Sequence, residues 1–223
     1  MAKRDAAPEG PAPNLSGDRD QALRQFIVSR ETRDRLDLFV ALLLQRNRTT
    51  NLIAASGAAN VWTRHVADSL QLLSLAEGRT WADLGSGGGF PGMVIASALA
   101  ERGGHTVHLV ESRAKKTRFL AEAADVLGVP AVIHTIRIED VVDRLPRIDI
   151  VTARAVAPLS KLLGYVHPLV RKGAKALLMK GQDVEVELTE ASKYWKIQSQ
   201  LVPSKTDPTG RILVVSGLER IRQ

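Results

Sequence analysis

The chain has no cysteine among its 223 residues, which excludes disulfides, thiolate-held zinc and a cysteine nucleophile. Aromatic residues are almost as scarce, with three Trp, two Tyr and four Phe, too few for a broad base-stacking platform. No apolar run approaches the ~20 residues that cross a bilayer. The opening MAKRDAAPEGPAPNLSGDRD has two early basic residues but no apolar stretch behind them, so neither a membrane partner nor a secretory signal is expected. A cytoplasmic protein is the expectation. Leu84 stands two positions before Ser86, so there is no GxSxG nucleophile elbow, and no Walker phosphate loop occurs. His105 and His108 fall at i, i+3 on an expected strand and face opposite sides, so they make no metal pair. No metal site is expected. For His65 the expected role is a structural hydrogen bond.

Charge is what the chain has in excess. A net +7 and a pI near 10.0 favour a polyanionic partner such as nucleic acid or an acidic membrane surface. Residues 1–17 are rich in Pro, Ala and Gly and predict a disordered tail. Residues 18–78 predict a helical extension. Its clearest helix starts near a Ser29 N-cap and buries Leu36, Phe39, Val40, Leu43 and Leu44 on one stripe; a second carries Val61, Trp62, Val66, Leu70 and Leu73. Two or three such helices cannot bury their apolar faces alone and must dock on the C-terminal part of the chain.

Residues 79–223 alternate short apolar runs with helical ones, which predicts a parallel sheet with crossover helices. The expected strands are Thr80–Leu84, Thr106–Val110, Ala131–Thr135, Ile148–Thr152 and Ala174–Met179. Helices are expected near Pro91–Arg102, Arg113–Leu127 and Pro158–Val170, with a shorter one from Asp183. Trp195–Val202 and Arg211–Leu218 then read as two strands joined by PSKTDPTG, a hairpin. Five βα units closed by a hairpin match the seven-stranded, Rossmann-like class I methyltransferase sheet, which binds S-adenosylmethionine.

The segment Asp83-Leu84-Gly85-Ser86-Gly87-Gly88-Gly89-Phe90-Pro91-Gly92 comes after the first expected strand and opens a helix. Glycines there allow a sharp turn and close approach of a ligand, at the position where open α/β sheets bind their ligands. Asp83, Gly85, Ser86, Gly87, Gly89 and Phe90 are therefore candidate cofactor contacts. Glu111 at the tip of the second strand is placed for the ribose hydroxyls of an adenosine. Gly87-x-Gly89-x-x-Gly92 also satisfies the dinucleotide fingerprint, so a NAD-dependent oxidoreductase stays open as an alternative. The acidic Asp83 before the turn suits a sulfonium and an ammonium better than a pyrophosphate. A class I methyltransferase acting on a small molecule or a protein also stays open.

Four further segments occur in order with this turn: Asn47-Arg48-Thr49-Thr50-Asn51-Leu52, Arg64-His65-Val66-Ala67-Asp68-Ser69-Leu70, Ala153-Arg154-Ala155 and Lys180-Gly181. Together they resemble the bacterial small-subunit ribosomal RNA guanine-N7 methyltransferase family, methyltransferase G or glucose-inhibited division protein B, over residues 25–218. The resemblance implies methylation of N7 of one guanine in 16S ribosomal RNA, free or in the small ribosomal subunit, by a monomer. It places cofactor contacts on Gly85, Phe90, Glu111, Ile138, Glu139 and Arg154. The chain departs from the family at Arg46, where Trp is usual, at Ile53, where Thr is usual, and at Glu111, where Asp is common.

The missing residues also bear on the acceptor. Pyrimidine C5 methylation generally needs a cysteine. An Asn/Asp-Pro-Pro-aromatic motif, usual for exocyclic amines, is absent after the fourth strand, where Thr152-Ala153-Arg154-Ala155-Val156-Ala157-Pro158 stands instead. Guanine N7 is already a nucleophile, so positioning suffices. Arg154 is the candidate catalytic residue; its planar fork suits a carboxylate or a phosphate where donor and acceptor meet. Arg30, Arg33, Arg35, Lys115, Lys116, Arg118 and Lys180 are the candidate RNA contacts, expected to grip phosphates near the active-site mouth.

Overall fold

The computed structural model describes residues 15–221. Of the expected disordered tail, residues 1–14 lie outside the described residues, whereas the last three open helix α1 (Leu15–Leu23). Helix α2 (Arg30–Thr50) starts as its sequence dictates, the Ser29 hydroxyl accepting the Thr32 amide at 3.1 Å. It stops at Asn51, whose φ of 50° is a left-handed turn that asparagine tolerates. Of the expected stripe, Leu36, Phe39, Val40 and Leu43 are buried, while Leu44 is half-buried at its edge.

After α3 (Ala55–Ala58), the single helix expected over 61–73 changes its winding twice. A π-helical stretch (Trp62–Ala67) leads into α4 (Asp68–Leu70) and then a 3-10 turn (Gln71–Ser74). Each change of pitch rotates the inward face, so Leu72 rather than Leu73 is fully buried.

The remaining elements alternate. They are β1 (Thr80–Leu84), α5 (Gly92–Leu99), β2 (Thr106–Glu111), α6 (Ala114–Leu127), β3 (Ala131–Thr135), α7 (Ile138–Val141), β4 (Ile150–Arg154), α8 (Leu159–Arg171), β5 (Lys175–Lys180), α9 (Val184–Ala191), β6 (Trp195–Pro203) and β7 (Arg211–Arg220). The seven strands order as β3-β2-β1-β4-β5-β7-β6. All pairings among the first five are parallel, while β7 runs antiparallel to both β5 and β6. The class I methyltransferase sheet with its C-terminal hairpin is therefore what the chain forms.

Strand β4 starts two residues later than expected. The Asp149 carboxylate accepts the amides of Arg79 (2.8 Å) and Thr80 (3.0 Å), so Ile148 and Asp149 belong to the turn. Arg154 is consequently the last residue of the strand, rather than lying just beyond it.

Two apolar cores cover the two sheet faces. One joins α5 and α6 to the N-terminal helices, with Phe39 packed 5.3 Å from Phe90 and 6.2 Å from Phe119. The other joins α8 and α9 to the opposite face. The helical extension thus completes the core of the sheet, and Leu52 and Ile53, just past α2, come against the glycine turn after β1.

Candidate functional site

The order β2-β1-β4 reverses direction at β1, and the crevice above the strand ends opens there. The glycine turn makes its floor. The amides of Gly85 and Ser86 both donate to the Val110 carbonyl, at 2.8 and 3.0 Å, tying the turn to β2. Gly85, Gly87 and Gly89 have φ of 78°, 57° and 97°, which side-chain-bearing residues rarely adopt. A Cβ on Gly85 would fall 2.6 Å from Val156 Cγ2. One on Gly87 would meet nothing nearer than 3.8 Å, so that glycine opens directly onto the crevice.

The crevice holds about 500 Å³ and is lined by Gly85, Ser86, Gly87, Phe90, Glu111, Ile138, Glu139 and Arg154, eight of the ten expected cofactor residues. Glu111 Oε2 accepts the Gly87 amide at 3.1 Å and Oε1 accepts the Arg113 amide at 2.8 Å. Each oxygen keeps a further lone pair for a ligand hydroxyl. Ile136 and Ile138 offer an apolar wall. Glu139 accepts the Tyr165 hydroxyl at 2.7 Å, and hydrogen bonds from its own backbone and from that phenol hold its carboxyl below the usual range. S-adenosylmethionine, with its ribose hydroxyls, a base packed on the apolar wall and a methionine carboxylate that Lys116 or Arg154 can meet, fits this lining. Glu111→Ala should weaken S-adenosylmethionine by ~1.5–3 kcal/mol, the usual worth of hydrogen bonds to a charged group. Calorimetry on the folded variant giving wild-type affinity would remove Glu111 from the site.

Two expected cofactor contacts are instead structural. Asp83 is 1% exposed and does not reach the crevice. Its Oδ2 accepts the Gly92 amide at 3.1 Å and its Oδ1 the Thr152 hydroxyl at 3.0 Å, so it pins the glycine turn to β4. Burial pushes its carboxyl up to about 6, against the hydrogen bonds that favour the charged form. Gly89 faces the core, where its Cβ would lie 2.9 Å from the Phe39 ring. Gly92 is equally enclosed, 2.1 Å from Leu109 Cδ2 by the same measure. Two of the three glycines of the apparent dinucleotide fingerprint therefore face protein.

A second cleft of about 530 Å³ shares Arg154, Ala155 and Ala157 with the first. Its other walls include Arg64 and His65 of the π-helical segment, Asp68 of α4, the end of β5, and the hairpin turn with Ser204, Thr206 and Asp207. Ala155, at the partition, has a φ of 53°, the strained left-handed region for a residue with a Cβ. Arg154 stands between the clefts. Its Nη1 donates to the Arg64 carbonyl at 3.0 Å and lies 3.4 Å from Asp68 Oδ2, while its guanidinium carbon sits 5.4 Å from the Phe90 ring centroid.

His65 departs from expectation. It stacks on Phe90 at 4.8 Å, but neither ring nitrogen has a hydrogen-bond partner. Burial first, then the charges of Arg154 and Arg64, push its pKa down to about 3, so the imidazole is neutral at physiological pH.

The expected RNA contacts separate into four groups. Lys116 lines the first cleft. Lys115 and Arg118 lie beside Arg46 and Thr49 in a shallow groove between α2 and α6, where Arg46 forms a fork-to-fork pair with Glu122. Lys180 lines the second cleft, but its ammonium is 2.7 Å from Glu187 in an 11% exposed side chain, so it is already paired within the protein. Arg30, Arg33 and Arg35 sit in the first turns of α2, ~22–30 Å along the helix from its C-terminal end. Arg35 there pairs with Glu101, beyond the far end of α5, at 3.2 Å. Their distance from the mouth follows from the direction of α2, which periodicity does not reveal. The motif residues Arg64 and Asp68 received no site role from the sequence, although their segment carried the resemblance; Lys161 and Tyr165 had no signal at all.

A family model described as rRNA small subunit methyltransferase G matches residues 32–211. A Rhodopseudomonas palustris (strain BisA53) protein named Ribosomal RNA small subunit methyltransferase G is 54% identical over 222 residues, 99% of this chain and 95% of its own length. Its counterpart in Bradyrhizobium sp. (strain BTAi1 / ATCC BAA-1182) is 54% identical over 208 residues, 92% of this chain and 94% of its own. Among solved structures, cofactor-bound Rv0187 from MTB superposes with a TM-score of 0.59 over 94% of this chain and 99% of that one, at 14% identity. A point mutant of MtNAS in complex with S-adenosylmethionine gives 0.54 over 81% and 74%, at 17% identity. Those two likenesses are of fold. The match over 32–211 and the identity across nearly the whole length go further: the chain belongs to the rRNA small subunit methyltransferase G family.

Proposed function

We propose that the protein transfers a methyl group from S-adenosylmethionine to N7 of one guanine in 16S ribosomal RNA, free or within the small subunit. The observation that carries this reading is the pair of clefts meeting at Arg154 and Ala155. The first suits an adenosyl cofactor; the second is a pocket of mixed polar and apolar lining that opens onto the same partition, with room for an extruded nucleotide. When bound, the cofactor supplies an electrophilic methyl on a sulfonium.

The chain's own residues then have to bind and orient. Glu111 and the glycine turn hold the cofactor from one side, and Arg154 takes a carboxylate or phosphate at the junction. The N7 lone pair carries no proton, so no general base is needed and alignment accounts for the acceleration. Methylation leaves positive charge on the purine. A neutral His65 in the acceptor cleft lets that charge develop without an imidazolium opposing it.

The test is direct: purified protein, S-adenosylmethionine with a labelled methyl, and small-subunit RNA, with digestion to nucleosides afterwards. Label in 7-methylguanosine supports the reading. Label in any other nucleoside, or equal label on free guanosine, overturns it.

Phosphate contacts are expected mainly from Lys115, Lys116, Arg118 and the exposed Arg48, around the first cleft. RNA affinity should fall with salt by ~0.7 in log K per log unit for each phosphate contacted, while cofactor affinity barely moves. Reversing Arg48, Lys115 and Arg118 to Glu should cost more RNA affinity than reversing Arg30, Arg33 and Arg35. Filter binding in which the two triple variants lose equally would show that RNA also covers the far end of α2.

A further inference from the structure

The segment Arg64–Gln71 lies against the junction of the clefts, and its acidic member touches neither the cofactor crevice nor the glycine turn. Asp68 keeps little exposure, with 19% of its side chain accessible, the same as Arg154. Its oxygens are spent inside the protein. Oδ2 is 3.4 Å from Arg154 Nη1; Oδ1 accepts the Thr206 hydroxyl at 2.8 Å and the Gln71 side-chain amide at 2.8 Å. Gln71 in turn accepts the Lys205 amide at 2.9 Å and reaches the Ser204 hydroxyl at 3.2 Å. One carboxylate thus joins α4, the end of β4 and the hairpin turn that walls the acceptor cleft.

Resting on the methyltransferase reading, we propose that Asp68 is the positioning residue for Arg154 during methyl transfer. It has two effects. It fixes one edge of the guanidinium, together with the Arg64 carbonyl at 3.0 Å, while the Phe90 ring covers one face. The fork is then aimed by three contacts and cannot rotate between the clefts. Asp68 also offsets the charge of Arg154. An uncompensated arginine beside a sulfonium and a purine becoming cationic would raise the barrier; a buried counterion removes most of that field. The carboxylate stays in place although burial pushes its pKa up, because Thr206 and Arg154 favour the charged form.

Three variants separate this role from a merely structural one, all in single-turnover methylation with saturating RNA and cofactor. Asp68→Asn keeps an acceptor for Thr206 and Gln71 but sets an amide against Arg154; its rate should fall ~30-fold or more, with cofactor affinity changed much less, as expected for lost alignment. Asp68→Glu keeps the charge and displaces it, and should lose less than Asp68→Asn. Thr206→Val cuts the direct bond from the hairpin turn to Asp68, leaves the Gln71 link and both contacts of the guanidinium in place, and should stay within ~3-fold of wild type because alignment of Arg154 is kept. A readout independent of turnover is the guanidinium rotation of Arg154 by nitrogen NMR: slow in wild type and in Thr206→Val, fast in Asp68→Asn.

Wild-type rate in folded Asp68→Asn, or Thr206→Val losing as much as Asp68→Asn, would overturn the proposal. Unchanged Arg154 rotation in Asp68→Asn would do the same. Wild-type protein that methylates no RNA would sink the reaction itself, a failure visible before any variant is compared.

Discussion

Arg154→Lys is expected to melt close to wild type and to methylate RNA ~100-fold more slowly, the cost of misplacing reacting groups by about 1 Å. Lysine keeps a cation near Asp68, which is 3.4 Å from the guanidinium, so the half-buried carboxylate remains compensated. What it loses is the planar fork that meets a carboxylate or phosphate with two parallel hydrogen bonds. Arg154→Ala should lose at least as much rate and also melt lower, because truncation leaves Asp68 without its counterion, a defect of ~3–5 kcal/mol for fully buried pairs and less for this partly exposed one. The lysine variant is therefore the cleaner probe. Single-turnover rates beside melting curves decide the matter: Arg154→Lys methylating at the wild-type rate would show that a point charge suffices and that the fork has no role.

The second large effect is on the fold. Gly92→Ala should destabilise the protein by ~3 kcal/mol, lowering the melting temperature by about 6–12 °C for a domain of this size. The new methyl would sit 2.1 Å from Leu109 Cδ2 and 2.7 Å from Asp83 Oδ2. Leu109 is fully buried and cannot retreat without moving β2, and Asp83 cannot move without releasing the Gly92 amide it accepts at 3.1 Å. Because Asp83 ties the glycine turn to β4, cofactor affinity should fall with stability. Gly164→Ala is the matched control. It lies in α8 with nothing within 4 Å of its added Cβ, so alanine there should stabilise by ~0.5–1 kcal/mol. Equal melting temperatures for Gly92→Ala and wild type would contradict the packing around Asp83.

What the sequence made legible was local. Strand β1, strand β3 and the start of α2 follow from apolar runs and a serine cap, and the observed bounds agree there. The places of Glu111 and Phe90 on the crevice were readable because a strand tip and a glycine turn fix where such a crevice opens. Other properties depend on what lies across the chain. A carboxylate before a glycine turn looks the same in sequence whether it faces a ligand or the core, and Asp83 faces the core. Lys180 reads as a free cation until α9 folds back and sets Glu187 2.7 Å away. The arginines of α2 read as one basic set in sequence, yet Arg30 and Arg48 stand at opposite ends of that helix. The winding changes over 62–74 carry no periodic signature, although they bring His65 onto Phe90 and Asp68 to Arg154.

Guanine N7 as the acceptor, in one place in one RNA, is the claim on which the rest depends. The most direct measurement compares 16S ribosomal RNA from cells with and without this gene, mapping 7-methylguanosine by reduction and strand scission at the modified base. One scission site present with the gene, absent without it and restored by the wild-type protein but not by Arg154→Lys at matched expression is the expected pattern. Identical scission patterns from both strains would contradict it.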